Sequence, residues 1–363
     1  MNQYNKLIDK KQNGKEKNWR GKKIGSKILF NSHMRLGNEK KGTRIYQCGD
    51  RLFFKADPNN LGDKRLSQAY FCGDKLCPMC AMRRSEKLFG QTNQIIDCMD
   101  KENGYRYVFL TLTVRNMPGG ELKSAIDAMM KGFNFLTKRK EFKDMSKGWM
   151  RSMEVTVNWK DENYHPHVHM IIAVDKKYFT EYENYLKHED WLRLWKSCLK
   201  LDYDPYVYVE KVKMDGRKED GSISYKKAVS ELTKYTVKSQ DYLITWTKRG
   251  REYYKKASGG KELENRQHAE KLTDSVVGLL NDVLYKRRLV AFGGRMKEVH
   301  KLLNLDDPID GNLENVDGNE DTDGKYTVDM IYKWCPVEMD YLLDKEMSDP
   351  LFVRYQGEVF EDG

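Results

Sequence analysis

The segment NYHPHVHMIIAV, residues 163–174, limits strongly how the chain around it can fold. His165, His167 and His169 occupy every second position, and an apolar run follows directly. Because successive side chains of a β-strand point to opposite faces, the three imidazoles line up on one side of a strand. The chain has only seven histidines, so three within five positions favour a metal site over a strand whose polar face is histidine-rich by chance.

Composition sets the broad class of the protein. A chain of 363 residues can hold a full-sized core and two domains with tails. The mean hydropathy is -0.81, and no apolar run approaches the roughly 20 residues that span a bilayer, so we expect no membrane partner. The basic N-terminus lacks the apolar region of a secretory signal, which predicts a cytoplasmic protein. Seven cysteines, an odd number, favour free thiols and metal ligands over a disulfide framework.

Charge is distributed unevenly along the chain. Residues 301–363 contain 17 Asp and Glu against 5 Lys and Arg, a net charge of -12, so with +10 overall residues 1–300 carry +22. Lysine and arginine that bind phosphates release counterions, which favours a polyanion as the partner. Charge of this kind also occurs in proteins that bind no nucleic acid, so the charge alone does not establish a nucleic-acid partner.

Hydrophobic periodicity predicts an α+β domain between residues 105 and 213. The predicted elements alternate as β-α-β-β-α-β, the order of the split βαβ or ferredoxin-like arrangement, in which helices cover one face of an antiparallel sheet. These elements are the strand 107–114, the helix 121–140, the strands 150–157 and 164–174, the helix 189–200 and the strand 206–213. A third helix is predicted near residues 225–242.

We predict five consecutive regions. They are a basic flexible N-terminal segment (1–44), a cysteine-rich module (45–100), a domain that contains the three histidines (101–245), a helical extension (246–304), and an acidic linker with a C-terminal segment (305–363). Beyond residue 245 we expect the chain to be mainly helical until the acidic linker begins.

The predicted hairpin brings a carboxylate to the histidines. If Val157 pairs with Tyr164 across the intervening turn, Glu154 falls opposite His167 and on the same face. Glu154, His165, His167 and His169 are therefore candidate metal ligands, although Glu154 could equally face solvent and a register slip would move it to the other face. Imidazole with carboxylate suits Mn²⁺, Mg²⁺, Fe²⁺ or Zn²⁺. The helical HExxH pattern of the common zinc proteases is absent from the sequence.

A candidate nucleophile lies in the third predicted helix, which contains AVSELTKYTVKSQDY. Glu231 and Tyr235 are four residues apart and share a helix face, and Lys238 lies one step further. A phenol is a poor nucleophile at neutral pH, so a neighbouring lysine, metal or carboxylate must assist it. An ExxxYxxK pattern is more often a surface ion pair beside a packed tyrosine. Tyr242, seven residues further on, is a rival nucleophile.

Four cysteines form a second candidate metal site. Cys72, Cys77 and Cys80 stand as C-x4-C-P-M-C, and Cys48 is the nearest available fourth ligand. Four thiolates close a tetrahedral structural zinc site, whereas a redox pair or isolated reduced cysteines are the alternatives. The basic side chains that follow are expected to present positive charge to DNA; they are Arg83, Arg84 and Lys87.

Three ordered motifs in this sequence resemble those of HUH endonucleases. They are TLT at 111–113, His167-Val168-His169 with its apolar run, and Tyr235 with Lys238. The sequence is most similar to the initiator (Rep) proteins of rolling-circle plasmids from Gram-positive bacteria, the group that contains the pUB110 and pC194 initiators. FCGDKLCPMCAMRRSEK, RSMEVTVN and RLVAFGGRMKEVHKLLNLDD extend the resemblance over most of the chain.

The resemblance implies a fold of the HUH type and a metal-dependent, site-specific DNA endonuclease and strand transferase. Tyr235 would attack one strand at the double-strand origin, leaving a 5′-phosphotyrosine and a 3′-OH primer, and the strand would be rejoined at termination. Glu231 would activate water for the terminating cleavage, and Lys234 would contact DNA beside Tyr235. A two-tyrosine mechanism that uses Tyr242 stays open.

The resemblance also implies cofactors and partners. Mn²⁺ or Mg²⁺ is expected at the histidines and Zn²⁺ at the cysteines. Partners would be plasmid origin DNA, as duplex and as the single-stranded nick site, together with the host replicative helicase and polymerase. Two alternatives remain at this stage: an HUH-type mobilisation relaxase or transposase, and a non-enzymatic zinc-containing DNA-binding regulator. The oligomeric state is left open.

Overall fold

The computed structural model describes residues 5–10, 14–158, 161–181, 185–217, 223–233, 239–244, 262–314, 316 and 324–348. The chain forms two compact units, each assembled from segments that are distant in sequence. The cysteine unit comprises residues 1–84, 243–278 and 312–363, and the histidine unit comprises residues 85–242 and 279–311.

The described residues contain ten α-helices and twelve strands. The helices are α1 (Trp19–Arg35), α2 (Glu39–Gln47), α3 (Pro78–Asn103), α4 (Gly119–Leu136), α5 (Lys140–Met145), α6 (His188–Leu199), α7 (Lys226–Leu232), α8 (Ser239–Tyr242), α9 (Glu262–Val283) and α10 (Gly294–Leu302). The strands are β1 (Arg51–Asp57), β2 (Asn60–Ala69), β3 (Arg106–Thr113), β4 (Met117–Pro118), β5 (Gly148–Asn158), β6 (Asn163–Val174), β7 (Val207–Lys211), β8 (Gly216–Arg217), β9 (Ile223–Ser224), β10 (Val290–Gly293), β11 (Val328–Cys335) and β12 (Asp340–Leu343).

The cysteine unit contains a four-stranded antiparallel sheet with the order β12-β11-β1-β2. Alternate residues of β1 are buried, as expected for a strand with one face against a core. On that face Phe54 packs edge-on against both Trp19 and Tyr332. The sheet therefore joins the N-terminal and C-terminal parts of the chain in one core.

The predicted flexibility of residues 1–44 is wrong for most of this segment, because α1 and the start of α2 lie within it. Trp19 is buried, and its indole nitrogen donates a hydrogen bond of 2.8 Å to Asp9. Lys23, Ser26 and His33 are also buried on α1. The buried face of this helix is partly polar, so simple hydrophobic periodicity did not reveal it.

The histidine unit contains the sheet that was predicted from the sequence. Its strand order is β10-β5-β6-β3-β7, with the short β4 also paired to β6, and every pairing is antiparallel. The elements β3, α4, β5, β6, α6 and β7 follow one another in the predicted β-α-β-β-α-β order. The strand β10 was not predicted and extends the sheet beyond β5.

Each face of this sheet is packed differently. On one face α4 and α6 pack together, and the indole of Trp195 donates a hydrogen bond of 2.8 Å to the carbonyl of Thr113. On the other face one half of the sheet is buried in a cluster with α3, α7 and α10; the sheet residues in this cluster are Tyr107, Phe109, Met150, Ile171 and Ala173. His169, His167 and His165 continue the same face beyond that cluster, because they differ from Ile171 by even numbers of residues.

The structure also corrects the description of two predicted regions. The segment predicted as an acidic linker with a C-terminal tail supplies β11 and β12 to the cysteine-unit sheet. The predicted helical extension does contain α9 and α10, but β10 lies between them and joins the histidine-unit sheet. No helix in the described part of the chain is long and apolar enough to cross a membrane.

The third predicted helix, 225–242, is seen only at its two ends. The helix α7 ends at Leu232, where Thr233 follows with φ -95° and ψ 6°, and α8 covers Ser239–Tyr242. Residues 234–238 lie outside the described residues, and so do Lys234, Tyr235 and Lys238. The predicted shared helix face of Glu231 and Tyr235 therefore stays a prediction.

Candidate functional site

The pairing of β5 with β6 has the predicted register. Val157 lies opposite Tyr164, and Glu154 lies opposite His167. In an antiparallel pair, residues that lie opposite each other point to the same face. The carboxylate and the imidazoles therefore share the face that carries α7.

Three side chains converge at this point: Glu154, His167 and His169. The Oε2 atom of Glu154 lies 3.3 Å from Nε2 of His167 and 3.3 Å from Nε2 of His169. The candidate ligand atoms of all three residues lie within 4.8 Å of one another. Glu154 is buried, and the two histidine side chains are only 13% and 14% exposed. The cluster is thus a recessed site with three donor atoms directed at a common point.

Hydrogen bonds on the far side of each ring orient the two histidines. Nδ1 of His167 donates to the carbonyl of His165 at 3.2 Å, and Nδ1 of His169 shares a hydrogen bond of 3.0 Å with the Thr111 hydroxyl. A neutral imidazole that donates from Nδ1 carries a lone pair on Nε2, the atom that faces Glu154. Thr111, which belongs to the TLT segment of β3, is therefore a positioning residue for His169.

His165 lies on the same face but apart from the three converging ligands. Its ring packs edge-on against His167, with the centroids 5.4 Å apart. Burial, with a smaller contribution from His167, lowers the pKa of His165, which keeps the ring neutral at neutral pH. Its Nε2 atom is buried and has no hydrogen-bond partner among the described residues. The predicted four-ligand set is thus seen as a group of three with His165 beside it.

The spacing of the Glu154 oxygen from each of the two histidine nitrogens fits a divalent cation. Two ligand atoms at about 2.1 Å from a metal are about 3.0 Å apart at a right angle and about 3.4 Å apart in a tetrahedron. The observed separations of 3.3 Å fall between these values. Two imidazoles and one carboxylate leave further coordination positions for water or a phosphate oxygen, which suits Mn²⁺, Mg²⁺ or Zn²⁺.

Only part of the predicted nucleophile segment is described. Glu231 is exposed on α7, and the neighbouring Val229 and Leu232 pack into the cluster on the histidine face. Tyr242, the rival nucleophile, is 0% exposed. A phenol in this position cannot meet a DNA phosphate without local unfolding, so the structure disfavours Tyr242 as the nucleophile.

The four predicted cysteine ligands come together in the cysteine unit. Cys48 caps α2, Cys72 follows β2, and Cys77 and Cys80 lie at the start of α3. The Sγ atoms of the pairs 48–80, 72–80 and 48–77 are each 3.6 Å apart. A disulfide needs about 2.05 Å, whereas sulfurs in a tetrahedral zinc site with bonds of about 2.3 Å are about 3.8 Å apart. The geometry therefore fits zinc and excludes disulfides in this arrangement.

Two buried residues of α1 support the cysteine cluster. The ammonium of Lys23 donates to the carbonyls of Tyr46 and Cys48 at 2.8 and 2.6 Å and pairs with Asp50 at 2.6 Å. Burial lowers the pKa of Lys23, and Asp50 partly offsets this effect. The Ser26 hydroxyl lies 3.3 Å from Sγ of Cys77. The sequence analysis did not predict a role for either residue. The available signal was that Lys23 and Ser26 are three residues apart, a spacing that places both on one face of a helix.

The structure contradicts the predicted exposure of Arg83, Arg84 and Lys87. Their exposed fractions are 1%, 8% and 3%. The two guanidinium groups donate to backbone carbonyls: those of Leu313 and Glu314 for Arg83, and those of Gly73 and Asp74 for Arg84. Lys87 pairs with Asp306 at 2.7 Å. These side chains hold segments of the protein together instead of presenting charge to DNA.

Comparison with known proteins gives a consistent result. The family described as "Replication protein" matches residues 63–342. "Protein rep" of Bacillus amyloliquefaciens is 35% identical over 360 residues, covering 94% of this chain and 98% of the relative. "Protein rep" of Streptococcus pneumoniae serotype 2 is 36% identical over 345 residues, covering 94% and 97%. A "Replication protein" of Staphylococcus aureus is 34% identical over 232 residues, covering 63% and 87%. No solved structure matches the chain.

We expect Thr111→Val to weaken Mn²⁺ binding by roughly 10- to 100-fold, because His169 loses the hydrogen bond that orients its ring. Isothermal titration calorimetry with Mn²⁺ measures this change. Thr137→Val is the control, since its hydroxyl donates to the Asn134 carbonyl at the end of α4, on the other face of the sheet. Equal affinity of the Thr111 variant and the wild type would remove Thr111 from the site.

We expect the purified protein to contain about one equivalent of zinc, measured by plasma mass spectrometry. Cys72→Ser should lose the metal and lower the Tm by about 10 °C, because binding of structural zinc contributes directly to folding. Cys335→Ser, a partly buried cysteine outside the cluster, is the control and should retain zinc. A zinc-free wild-type protein with unchanged Tm after chelation would contradict the site.

Proposed function

Because the chain belongs to the Rep family of replication proteins, we propose that it starts rolling-circle replication of a plasmid by nicking one strand at the double-strand origin. The observation that carries this proposal is the convergence of Glu154, His167 and His169 on one sheet face. A site of this composition, recessed but with open coordination positions, is suited to binding a phosphate group through a cation. The family membership identifies DNA as the polymer that carries the phosphate.

The topology of the histidine unit supports an HUH-type fold within this proposal. The first, second, third and fourth strands of its β-α-β-β-α-β segment are β3, β5, β6 and β7, and they lie in the order β5-β6-β3-β7. This is the order of the ferredoxin-like arrangement read from one edge, with the first and third strands in the centre. The two central strands carry the TLT and His-x-His motifs, which brings both motifs to the middle of the sheet.

The proposed reaction exchanges one phosphate ester for another. The phenol oxygen of Tyr235 forms a bond to the scissile phosphorus, and the bond from phosphorus to the 3′ oxygen breaks. The phenol loses a proton and the departing 3′ oxygen gains one, which leaves a 5′-phosphotyrosine and a free 3′-OH. Because the number of phosphodiester bonds is unchanged, attack by a 3′-OH on the phosphotyrosine rejoins the strand without an external energy source.

The chain's own residues prepare this reaction. Glu154, His167 and His169, with His165 beside them, would hold Mn²⁺ or Mg²⁺, which when bound would offset the negative charge of a phosphate oxygen. Thr111 and the His165 carbonyl fix the two rings before DNA arrives. We assign Lys238 to assist ionisation of the Tyr235 phenol and Lys234 to contact the DNA backbone.

The remaining parts of the proposal concern termination and partners. We assign Glu231 to activate water for the terminating cleavage, which releases the enzyme after one round. Zinc at the four cysteines is assigned a structural role. In the cytoplasm, where a plasmid replicates, the host helicase would unwind the duplex and the host polymerase would extend the 3′-OH.

We expect Tyr235→Phe to abolish nicking of the supercoiled replicon in Mn²⁺ while DNA binding persists, because only the attacking oxygen is removed. Digestion of the wild-type reaction and mass spectrometry should locate a nucleotide on the peptide that contains Tyr235. Tyr242→Phe is the matched variant and should still nick. If DNA is bound and no adduct forms on any tyrosine, the non-enzymatic DNA-binding regulator becomes the better description.

We expect Glu231→Ala to form the first adduct at a normal rate but to terminate poorly, giving products longer than one plasmid length. A replication assay with gel analysis of product circles measures this ratio. Glu181→Ala, which removes an exposed glutamate paired with Lys177, is the control. Circles of normal unit length from the Glu231 variant would exclude this role.

A further inference from the structure

Two tyrosines at the edge of the histidine-unit sheet share the face of the metal cluster: Tyr208 in β7 and Tyr206 just before it. Tyr208 lies opposite Thr111 of β3, and Thr111 lies opposite His169 of β6. Residues opposite each other point to the same side at every step of an antiparallel sheet. Tyr208 and His169 therefore lie in one row across three strands. Since neighbouring strands are about 4.8 Å apart, about 10 Å separates the two residues.

Tyr206 occupies the neighbouring row. Its carbonyl accepts hydrogen bonds from the backbone nitrogen and the hydroxyl of Thr113, at 3.2 and 2.8 Å. Thr113 lies opposite His167, and His167 lies opposite Glu154. The two tyrosines thus run parallel to the His167–His169 pair along the same face. We call Tyr206 and Tyr208 the tyrosine pair.

The tyrosine pair is exposed where most aromatic side chains of the sheet are buried. Tyr206 is 65% exposed and Tyr208 is 41% exposed, whereas Phe109 and Tyr107 on the same face are 5% and 0% exposed. Two neighbouring aromatic side chains that stay exposed beside a recessed polar site form a candidate binding surface. The Tyr208 hydroxyl donates to Glu210 at 2.7 Å, and this hydrogen bond raises the phenol's pKa and keeps it neutral.

Charges around the tyrosine pair are polarised along the strand. Arg115, just beyond the end of β3, is exposed, and its guanidinium lies 5.2 Å from the Tyr203 ring. Its backbone nitrogen also donates to the Tyr203 hydroxyl at 3.2 Å, which fixes the start of this segment. Glu210 places a negative charge at the opposite end. Arg115 favours a polyanion near Tyr206, where Asp202 is exposed and Asp204 is already paired with Lys196 at 2.7 Å, and Glu210 disfavours a polyanion at the other end.

We propose that the tyrosine pair is a base-stacking platform for the single-stranded DNA next to the scissile phosphate, an inference that rests on the proposed nicking function. Residues two apart in a strand are about 6.8 Å apart, twice the rise of about 3.4 Å per base, which leaves room for one base between the rings. Only unpaired bases expose both faces for such stacking, and stacking tolerates any base. The platform would hold the strand about 10 Å from the metal cluster and thereby set the cleavage position.

The test measures binding without cleavage. Fluorescence anisotropy without added Mn²⁺ or Mg²⁺, and without a chelator that would remove zinc from the cysteines, compares labelled oligo(dT) of about 12 nucleotides with an abasic oligomer of the same length. Tyr206→Ala and Tyr208→Ala should each weaken oligo(dT) binding by roughly 5- to 150-fold, the range for loss of one stacked base. Binding of the abasic oligomer should stay unchanged in both alanine variants. Tyr206→Trp, which keeps an aromatic ring, should bind oligo(dT) as tightly as the wild type does. Tyr285→Ala removes another tyrosine, 67% exposed, and should change neither.

Several results would overturn the platform. Unchanged oligo(dT) affinity in both alanine variants is one, and equal loss for oligo(dT) and the abasic oligomer is another, because it indicates a structural or ionic role. A change in sedimentation without a base-dependent change in DNA binding would assign the pair to contact between two copies of the chain. Lack of any wild-type binding to oligo(dT) would also overturn it.

Failure of the platform and failure of the nicking function give different results. Base-dependent binding through the tyrosine pair with no tyrosine adduct on the replicon would retain the platform and remove the nicking function. Adduct formation on Tyr235 with full oligo(dT) affinity in the alanine variants would do the reverse. Ultraviolet cross-linking of an oligonucleotide that contains 5-iodouracil, followed by mass spectrometry, should label Tyr206 or Tyr208 directly in the unaltered protein.

Discussion

The register of the β5–β6 pair is the constraint on which the metal cluster depends. A slip by one residue would turn Glu154 away from His167 and His169. The alternation of β6 opposes this slip, because Tyr164 and Val168 face the side covered by α4 and the imidazoles face the other side. A slipped strand would bury the imidazoles without partners against α4, at a cost of roughly 1–3 kcal/mol for each polar group. Packing on one face therefore aligns the ligands on the other.

Orientation of the rings is achieved by groups that do not face the cluster. Thr111 and the His165 carbonyl engage Nδ1 of His169 and His167, so both Nε2 atoms are directed at the carboxylate. The site is thus organised by the strands themselves instead of by a loop, and little conformational entropy is lost when a cation binds. The same strands continue to β7, so the metal cluster and the edge of the sheet form one rigid surface.

The sequence was most informative where patterns are local. Alternation along β6 and the turn length predicted the hairpin, its register and the placement of Glu154 beside the histidines. Periodicity could not show that Lys23 is buried, because a charged side chain satisfied by carbonyl oxygens has no hydrophobic signature. For the same reason Arg83 was predicted at the surface, although it binds carbonyls inside the cysteine unit. The pairing of β1 with β11 joins segments too distant for any local pattern to reveal.

That pairing has a consequence for the order in which the protein can be made. Arg51 pairs with Lys333, so β1 emerges from the ribosome long before its partner strand exists. The four clustered cysteines lie between residues 48 and 80 and can meet early, but the adjoining sheet stays incomplete until β11 and β12 have been synthesised. A product truncated before residue 328 leaves one edge of β1 unpaired, a form prone to aggregation and proteolysis. The cysteine unit therefore reaches its complete sheet only after β11 has been synthesised.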